Sequence, residues 1–216
     1  MLSRHFLRAK VLQQLYSCMM SGNKDVALAE QDLLEGIEQT YKLQVYIYSA
    51  TLEIRDIAEN QIEEAKTKFF PTEEELNPNM RFVTNPLFAR LQENIELNKA
   101  VEKLKINWAE QKDMLKNIFN RFKDSDSYKK YMALENCTFE DHRKVVILMM
   151  KNYLLKNESF LDFLFEKQLY WESDFLFVGL TYLNYLKDYE EDALPHKPLF
   201  QMFDEKTDDR KAFAVD

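Results

Sequence analysis

Apolar residues recur every three or four positions along most of the chain, which is the spacing of an amphipathic helix. The first helix predicted in this way has the apolar side Leu7, Val11, Leu15 and Cys18. It ends at a typical C-terminal stop, the sequence Ser21-Gly22-Asn23. A second, longer helix can be capped by Asp25, and its apolar side comprises Leu34, Ile37, Tyr41, Val45, Tyr48 and Leu52. Because no proline or glycine occurs from Ile37 to Phe70, we expect this helix to span the whole domain.

Three prolines interrupt the helical pattern over residues 70–86 and predict an extended connection there. After it, the apolar spacing predicts helices over about 86–105, 108–123 and 158–169, a short segment over 128–134 and a last aromatic helix over 175–189. Thr138 is followed three residues later by Asp141, which is close to a capping box and predicts that one more helix begins there. The stretch Trp171–Asp174 is expected to form a corner before the last helix.

The chain has only 3 glycines and 5 prolines, too few turn residues for a many-stranded sheet. We therefore predict an all-α fold, an antiparallel helical bundle. Residues 1–190 are expected to form one helical domain, with a long helical insertion at about 34–127. Residues 191–216 are predicted to be a loop followed by the start of a further helix. Because a helix of about nine residues is marginal alone, we expect the sequence to be a fragment that continues beyond Asp216.

The motifs of most enzymes and metal sites are missing from the sequence. Glycine occurs only at positions 22, 36 and 179, which leaves no glycine-rich phosphate-binding loop. The three histidines are far apart, and Glu140-Asp141-His142 is better explained as a solvated first helical turn than as a metal site. Cys18 and Cys137 lack CxxC spacing, which favours buried thiols in a reducing cytoplasm. We find neither a signal peptide nor 18 successive apolar residues, and predict a cytoplasmic, non-enzymatic protein without cofactor or metal.

Positive charge is concentrated at the start of an otherwise acidic chain. Residues Met1–Lys24 include four basic residues and no acidic one. Because the whole chain has a formal charge of −8, the remaining residues together carry −12. RNA phosphates attract the positively charged hydrogen-bond donors of Arg and Lys, while single-stranded bases bind to amides, aromatic faces and guanidinium planes. The candidate RNA-binding residues are therefore Arg4, His5, Arg8, Lys10 and Gln13. Tyr16 adds a ring that can stack. The alternative, that the first helix is basic by chance, stays open.

The first helix resembles that of the NusB family of bacterial transcription antitermination factors. The similarity rests on Arg4-His5, Arg8, Val11, Gln13 and Leu15-Tyr16. A second similar region comprises Phe139, Arg143, Val146, Asn157, Leu161-Asp162, Leu164, Leu169 and Trp171. The insertion up to Ser127 is similar to that of the enlarged NusB-type proteins of Bacteroidetes-like bacteria. The chain departs from the family pattern at His5, where arginine is usual, and at Asp174-Phe175, where the family has Arg-Leu.

This resemblance implies a NusB-like helical domain over residues 1–190 and a non-enzymatic role in transcription antitermination. It implies that the protein binds a boxA-type single-stranded RNA together with NusE, a ribosomal protein of the small subunit, during transcription of ribosomal operons. Arg4, His5, Arg8 and Gln13 would contact the RNA, and Tyr16 would border the RNA or the NusE surface. The C-terminal helices of the family would then lie beyond Asp216.

Two other functions remain open. The aromatic helices between Phe160 and Tyr189 could hold a partner helix in a protein–protein adaptor, although such residues more often form a core. NusB-like helical domains also precede RNA methyltransferases. The chain could therefore be an accessory domain of a longer RNA-modifying protein.

Overall fold

The computed structural model describes residues 4–22 and 24–189, apart from the side chains of Arg4 and His5. Within these residues the fold is all-helical and contains no strand, which confirms the predicted fold class. The helices are α1 (Arg4–Ser21), α2 (Val26–Lys66), α3 (Glu73–Leu76), α4 (Pro86–Gln92), α5 (Ile95–Leu104), α6 (Lys112–Lys123), α7 (Asp126–Met132), α8 (Phe139–Met149), α9 (Glu158–Lys167) and α10 (Tyr170–Lys187). A short 3₁₀ turn, Ala109–Gln111, precedes α6.

Helix α2 is the central element of the fold. Its 41 residues make it about 60 Å long, at 1.5 Å per residue. Asp25 caps it as predicted, since its carboxylate accepts hydrogen bonds from the backbone nitrogens of Ala27 and Leu28 at 3.0 and 3.1 Å. Helices α1, α4, α5, α6 and α10 all pack against it. Leu43 and Ile54 in its middle are therefore fully buried, which explains why this stretch is apolar on more than one side.

Aromatic rings fill the space between α4, α6 and α7. The ring of Phe82, in the connection before α4, lies 5.1 Å from that of Phe88 and 5.6 Å from that of Phe119, between centroids. The ring of Tyr128 lies 5.1 Å from that of Phe122. Burial raises the pKa of Tyr128 to about 12, because the ionised phenolate would lose its hydration there.

Two tryptophans tie later parts of the chain to α2 through their indole nitrogens. Trp108 donates a hydrogen bond to the hydroxyl of Ser49 at 3.2 Å, and Trp171 donates one to the carbonyl of Gln39 at 2.9 Å. Both indole rings are buried. Because a buried indole N–H needs a partner, these bonds fix where α10 and the 3₁₀ turn meet α2.

The helix starts predicted from local signals in the sequence are mostly correct, but two of the predicted boundaries are wrong. The capping box of Thr138 and Asp141 begins α8 as predicted. The helix predicted over 86–105 is instead two helices, because Asn94 caps α5 by accepting a hydrogen bond from the backbone nitrogen of Leu97 at 2.9 Å. The predicted corner at Trp171–Asp174 is part of α10. Helix α8 also continues into an unpredicted π-helical segment, Met150–Leu154.

The buried residues form one large core that extends from Leu43 in α2 to Tyr189 after α10. Helix α1 attaches to this body through a smaller cluster around Leu7 and Ile37. The loop and helix start predicted for 191–216 lie outside the described residues. Among the helices that are described, none combines the length and the apolar character needed to cross a membrane.

Candidate nucleic-acid interface on the first helix

One side of α1, its inner side, packs against α2 and α10. Leu7 is only 5% exposed and contacts the cluster that includes Ile37. The ring of Phe6 stacks on that of Phe177 in α10, with 4.0 Å between the centroids. Two turns further along, Gln14 donates a hydrogen bond to the carboxylate of Asp32 at 3.3 Å. These contacts fix which residues of α1 point away from the protein.

Lys10 belongs to this inner side and forms a buried ion pair. Its ammonium lies 2.5 Å from the carboxylate of Asp174 in α10, and the two side chains are 7% and 2% exposed. Thr40 donates a hydrogen bond to the other carboxylate oxygen at 2.5 Å, and Ser173 donates to the first at 3.2 Å. A buried ammonium needs such a partner, because leaving it unpaired away from water is costly. The prediction that Lys10 contacts RNA is therefore corrected: its charge is neutralised inside the protein.

The outer side of α1 presents the remaining predicted residues whose side chains are described. Arg8, Gln13 and Tyr16 are exposed. Arg8 forms no ion pair with any residue of the described ranges, so its guanidinium is open to solvent. Arg4 and His5 continue the helix by their backbone, but their side chains lie outside the description, and their predicted contacts stay predictions. Arg8 is thus the one predicted cation for which an open position on α1 can be stated.

The outer side of α1 also carries a row of large apolar side chains, which we call the apolar α1 face. It consists of Leu12, Leu15, Tyr16, Met19 and Met20, which are 56–80% exposed. Their positions follow the i, i+3, i+4, i+7, i+8 pattern with which one helix usually packs against another. Monomeric proteins rarely leave such a continuous apolar surface uncovered.

The predicted apolar side of α1 is therefore wrong at Leu15. Leu7 is buried, and Val11 and Cys18 are half-buried, but Leu15 is 56% exposed. The sequence contained the missed signal, since Leu12, Tyr16 and Met19 have the same helical spacing as the predicted side. Spacing alone does not tell which of two apolar sides of one helix faces the core.

Polar groups elsewhere serve internal contacts. Asp141 accepts a hydrogen bond from the backbone nitrogen of Thr138 at 3.0 Å, and bonds from the Thr138 side chain and backbone hold the pKa of Asp141 below its usual range. Glu140 pairs with Arg143. The phenol of Tyr131 is 2.8 Å from a ring nitrogen of His142, and burial raises the pKa of Tyr131.

Throughout the described ranges, no group of three or more His, Cys, Asp or Glu residues is arranged to hold a metal ion.

Comparison with known proteins adds no family to these observations. No protein-family model, curated protein or solved structure matches this chain. The similarity to the NusB family therefore rests on the residues quoted in the sequence analysis, and it stays a prediction.

Proposed function

We propose that this protein is an RNA-binding factor of the NusB type that acts in transcription antitermination in the bacterial cytoplasm. The observation that supports the proposal most directly is the open guanidinium of Arg8 on the outer side of α1. The segment Met1–Lys24 around it contains no acidic residue. An RNA phosphate would therefore meet a positive group that no carboxylate of its own helix neutralises.

The exposed residues of α1 fit complementary tasks in holding a single strand. Arg8 would pair with a phosphate, and Gln13, about 7.5 Å further along the helix axis, could hydrogen-bond a base edge. The ring of Tyr16 would stack on a base or border the protein partner. The buried pair of Lys10 and Asp174 would contribute indirectly, by holding α1 in one orientation on α10.

The proposal includes NusE as a second component of the complex. Arg8, Gln13 and Tyr16 alone offer a small contact area, and a few phosphate contacts give weak, salt-sensitive binding. A boxA-type RNA held jointly by this protein and NusE would gain affinity from both surfaces at once. This assignment follows from the resemblance of α1 to the NusB family.

The test is the binding of a fluorescently labelled boxA-like single strand, followed by anisotropy at several salt concentrations with NusE present. We expect affinity to fall with salt. In Arg8→Ala, affinity should drop, and the slope of log affinity against log salt should become shallower by about 0.7, which corresponds to one lost phosphate contact on a single strand. Arg121→Ala is the matched control, because Arg121 is an exposed arginine of α6 without an ion pair in the described ranges.

An RNA affinity that changes neither with salt concentration nor in Arg8→Ala would contradict the proposal. So would equal losses in Arg8→Ala and Arg121→Ala, because the chain would then attract RNA only through its overall charge distribution. Circular dichroism of each variant would show that the helices are intact. The affinities of the two variants would then be directly comparable.

A protein–protein adaptor is the second candidate, and the apolar α1 face is the observation that favours it. Such a face suits a partner helix better than a nucleic acid. Calorimetric titration with purified NusE, combined with the RNA-binding measurement above, separates the two candidates. NusE binding that is lost in Leu12→Glu, in a complex without salt-dependent affinity for the boxA-like strand, would support the adaptor.

A further inference from the structure

Helix α1 has few buried residues for its length. It contains 18 residues, as many as α10, in which seven residues are buried. Among the residues of α1 whose side chains are described, only Leu7 and Lys10 are buried. Leu7 packs with Ile37 in a small cluster, whereas the buried residues of the large core lie between Leu43 and Tyr189 and include none of the described residues of α1. The helices from α2 to α10, which we call the body, therefore have a core that does not depend on α1.

The buried ion pair of Lys10 and Asp174 fixes one position of α1 on the body. The ammonium and the carboxylate are 2.5 Å apart, and a shift of α1 along α10 would leave both charges buried without a partner. Complete separation is different, because water then reaches both groups. Asp174 would also keep the hydrogen bonds that it accepts from Thr40 at 2.5 Å and Ser173 at 3.2 Å, since neither residue belongs to α1. The pair thus opposes a partial displacement of α1 more strongly than its complete separation.

The ends of α1 and α2 that face each other along the chain are satisfied by local groups. The hydroxyl of Ser21 donates a hydrogen bond to the carbonyl of Ser17 at 2.8 Å, within α1. Gly22 follows with a φ of 67°, a left-handed conformation typical of the residue after a helix. Asp25 caps α2 with its own carboxylate. Separation of α1 therefore leaves the capped first turn of α2 intact.

We propose that α1 opens as one unit, separating from α2 and α10 while the body stays folded, and that the ion pair of Lys10 and Asp174 selects its single docked position. A helix of 18 residues without tertiary contacts is marginal, so α1 loses its backbone hydrogen bonds when it separates. Arg8 and Tyr16 move with α1, and the RNA contacts proposed above would exist only while it is docked. That consequence rests on the proposed function, whereas the opening itself does not and is tested without RNA.

The test is native-state hydrogen exchange of the purified full chain at a series of low urea concentrations. The hydrogen-bonded amides of α1 should share one opening free energy, lower than that of the amides between Leu43 and Ile54 in the middle of α2. Their exchange should also depend less on urea, because the opening of α1 exposes less surface than the unfolding of the whole chain. Equal protection of α1 and α2 would overturn the proposal. So would protection that increases steadily from Arg4 to Ser21, because α1 would then fray from its end instead of opening as one unit.

Two substitutions test the contacts that hold α1 in place. Lys10→Met should speed the exchange of the α1 amides about a hundredfold, because the docked state would then contain a buried carboxylate without its cation. Gln14→Ala is a milder change that removes the hydrogen bond to Asp32 and should speed their exchange about fivefold. Unchanged exchange of α1 in Lys10→Met would overturn the role of the ion pair.

The matched control for Lys10→Met is Lys42→Met. The ion-pair partner of Lys42 is Glu38, in the same helix, which stays folded when α1 opens. Lys42→Met should therefore leave the exchange of the α1 amides unchanged. An acceleration as large as that in Lys10→Met would overturn the assignment of the effect to the contact between α1 and α10.

A substitution in the body distinguishes separate opening from unfolding of the whole chain. Asn157 caps α9, and Asn157→Ala should speed the exchange of the amides in the middle of α2 about fivefold, because these amides exchange when the body unfolds. The α1 amides should exchange at their original rate, since the body is folded both before and after α1 opens. Equal acceleration in α1 and α2 would overturn the proposal, because α1 would then open only together with the body.

Discussion

The buried ion pair between Lys10 and Asp174 allows the most direct quantitative prediction for this fold. Lys10→Met keeps the apolar stem of the side chain and removes the ammonium. The carboxylate of Asp174 then stays buried without its cation, which in other proteins costs about 3–5 kcal/mol of unfolding free energy. Because Thr40 and Ser173 still donate hydrogen bonds to it, we expect a cost at the lower end, about 3 kcal/mol. For a chain of this size, that corresponds to a melting temperature lower by about 6–12 °C.

The measurement is urea-induced unfolding followed by far-ultraviolet circular dichroism, with the ion pair of half-buried Lys42 and exposed Glu38 as control. The ammonium of Lys42 lies 3.3 Å from its carboxylate partner, and we expect Lys42→Met to cost less than about 1 kcal/mol. The double variant Lys10→Met/Asp174→Leu should recover most of the lost stability, because no buried charge then remains unpaired. With the carboxylate gone, the single hydroxyl hydrogen of Thr40 would be donated to the carbonyl of Gly36, 3.1 Å away.

Two results would refute this reasoning. One is a Lys10→Met variant within about 1 kcal/mol of the unchanged chain, since the carboxylate would then not need its cation. The other is a double variant that loses as much as the two single variants together, because the two residues would then act independently.

Further predictions concern a helix cap and a buried tyrosine. Asn157 caps α9 by accepting a hydrogen bond from the backbone nitrogen of Phe160 at 3.0 Å. Asn157→Ala should therefore lower the free energy of unfolding, measured in urea, by about 1 kcal/mol. Asn117→Ala, at an exposed position of α6, is the control and should have little effect. Burial raises the pKa of Tyr128 from the ordinary 10.0 to about 12. This raised pKa contributes stability below pH 10 that is lost as pH rises toward 12. Tyr128→Phe should therefore lose less stability than the unchanged chain between about pH 10 and 12. An absorbance titration of the unchanged chain should show a phenol that ionises above the ordinary pKa of tyrosine. Equal losses of stability in both proteins at alkaline pH would contradict the raised pKa of Tyr128.

The helical architecture was predictable because its signals are local. The caps at Asp25 and Thr138 lie within three residues of the groups that they bind, and apolar spacing over a few turns is enough to predict a helix. The division between α4 and α5 also has a local signal, the cap at Asn94, which the continuous apolar spacing around it concealed.

The environment of the candidate site was less predictable because it depends on contacts between distant parts of the chain. Nothing near Lys10 in the sequence indicates that its partner is Asp174. A corner was predicted at Trp171–Asp174, but in the structure Asp174 is part of α10 and its carboxylate binds Lys10 and Thr40. The same packing of α1 against α10 leaves Leu15 exposed on the outer side of α1.

The position of α2 has a consequence for how the protein is made. Its middle is covered by α10: Gln39, Thr40 and Thr51 bind partners that are 132, 134 and 131 residues away along the chain. During translation, α2 would leave the ribosome long before the helix that covers it. The nascent chain would present the apolar middle of α2 to the cell throughout that interval, which makes it a natural client for ribosome-associated chaperones.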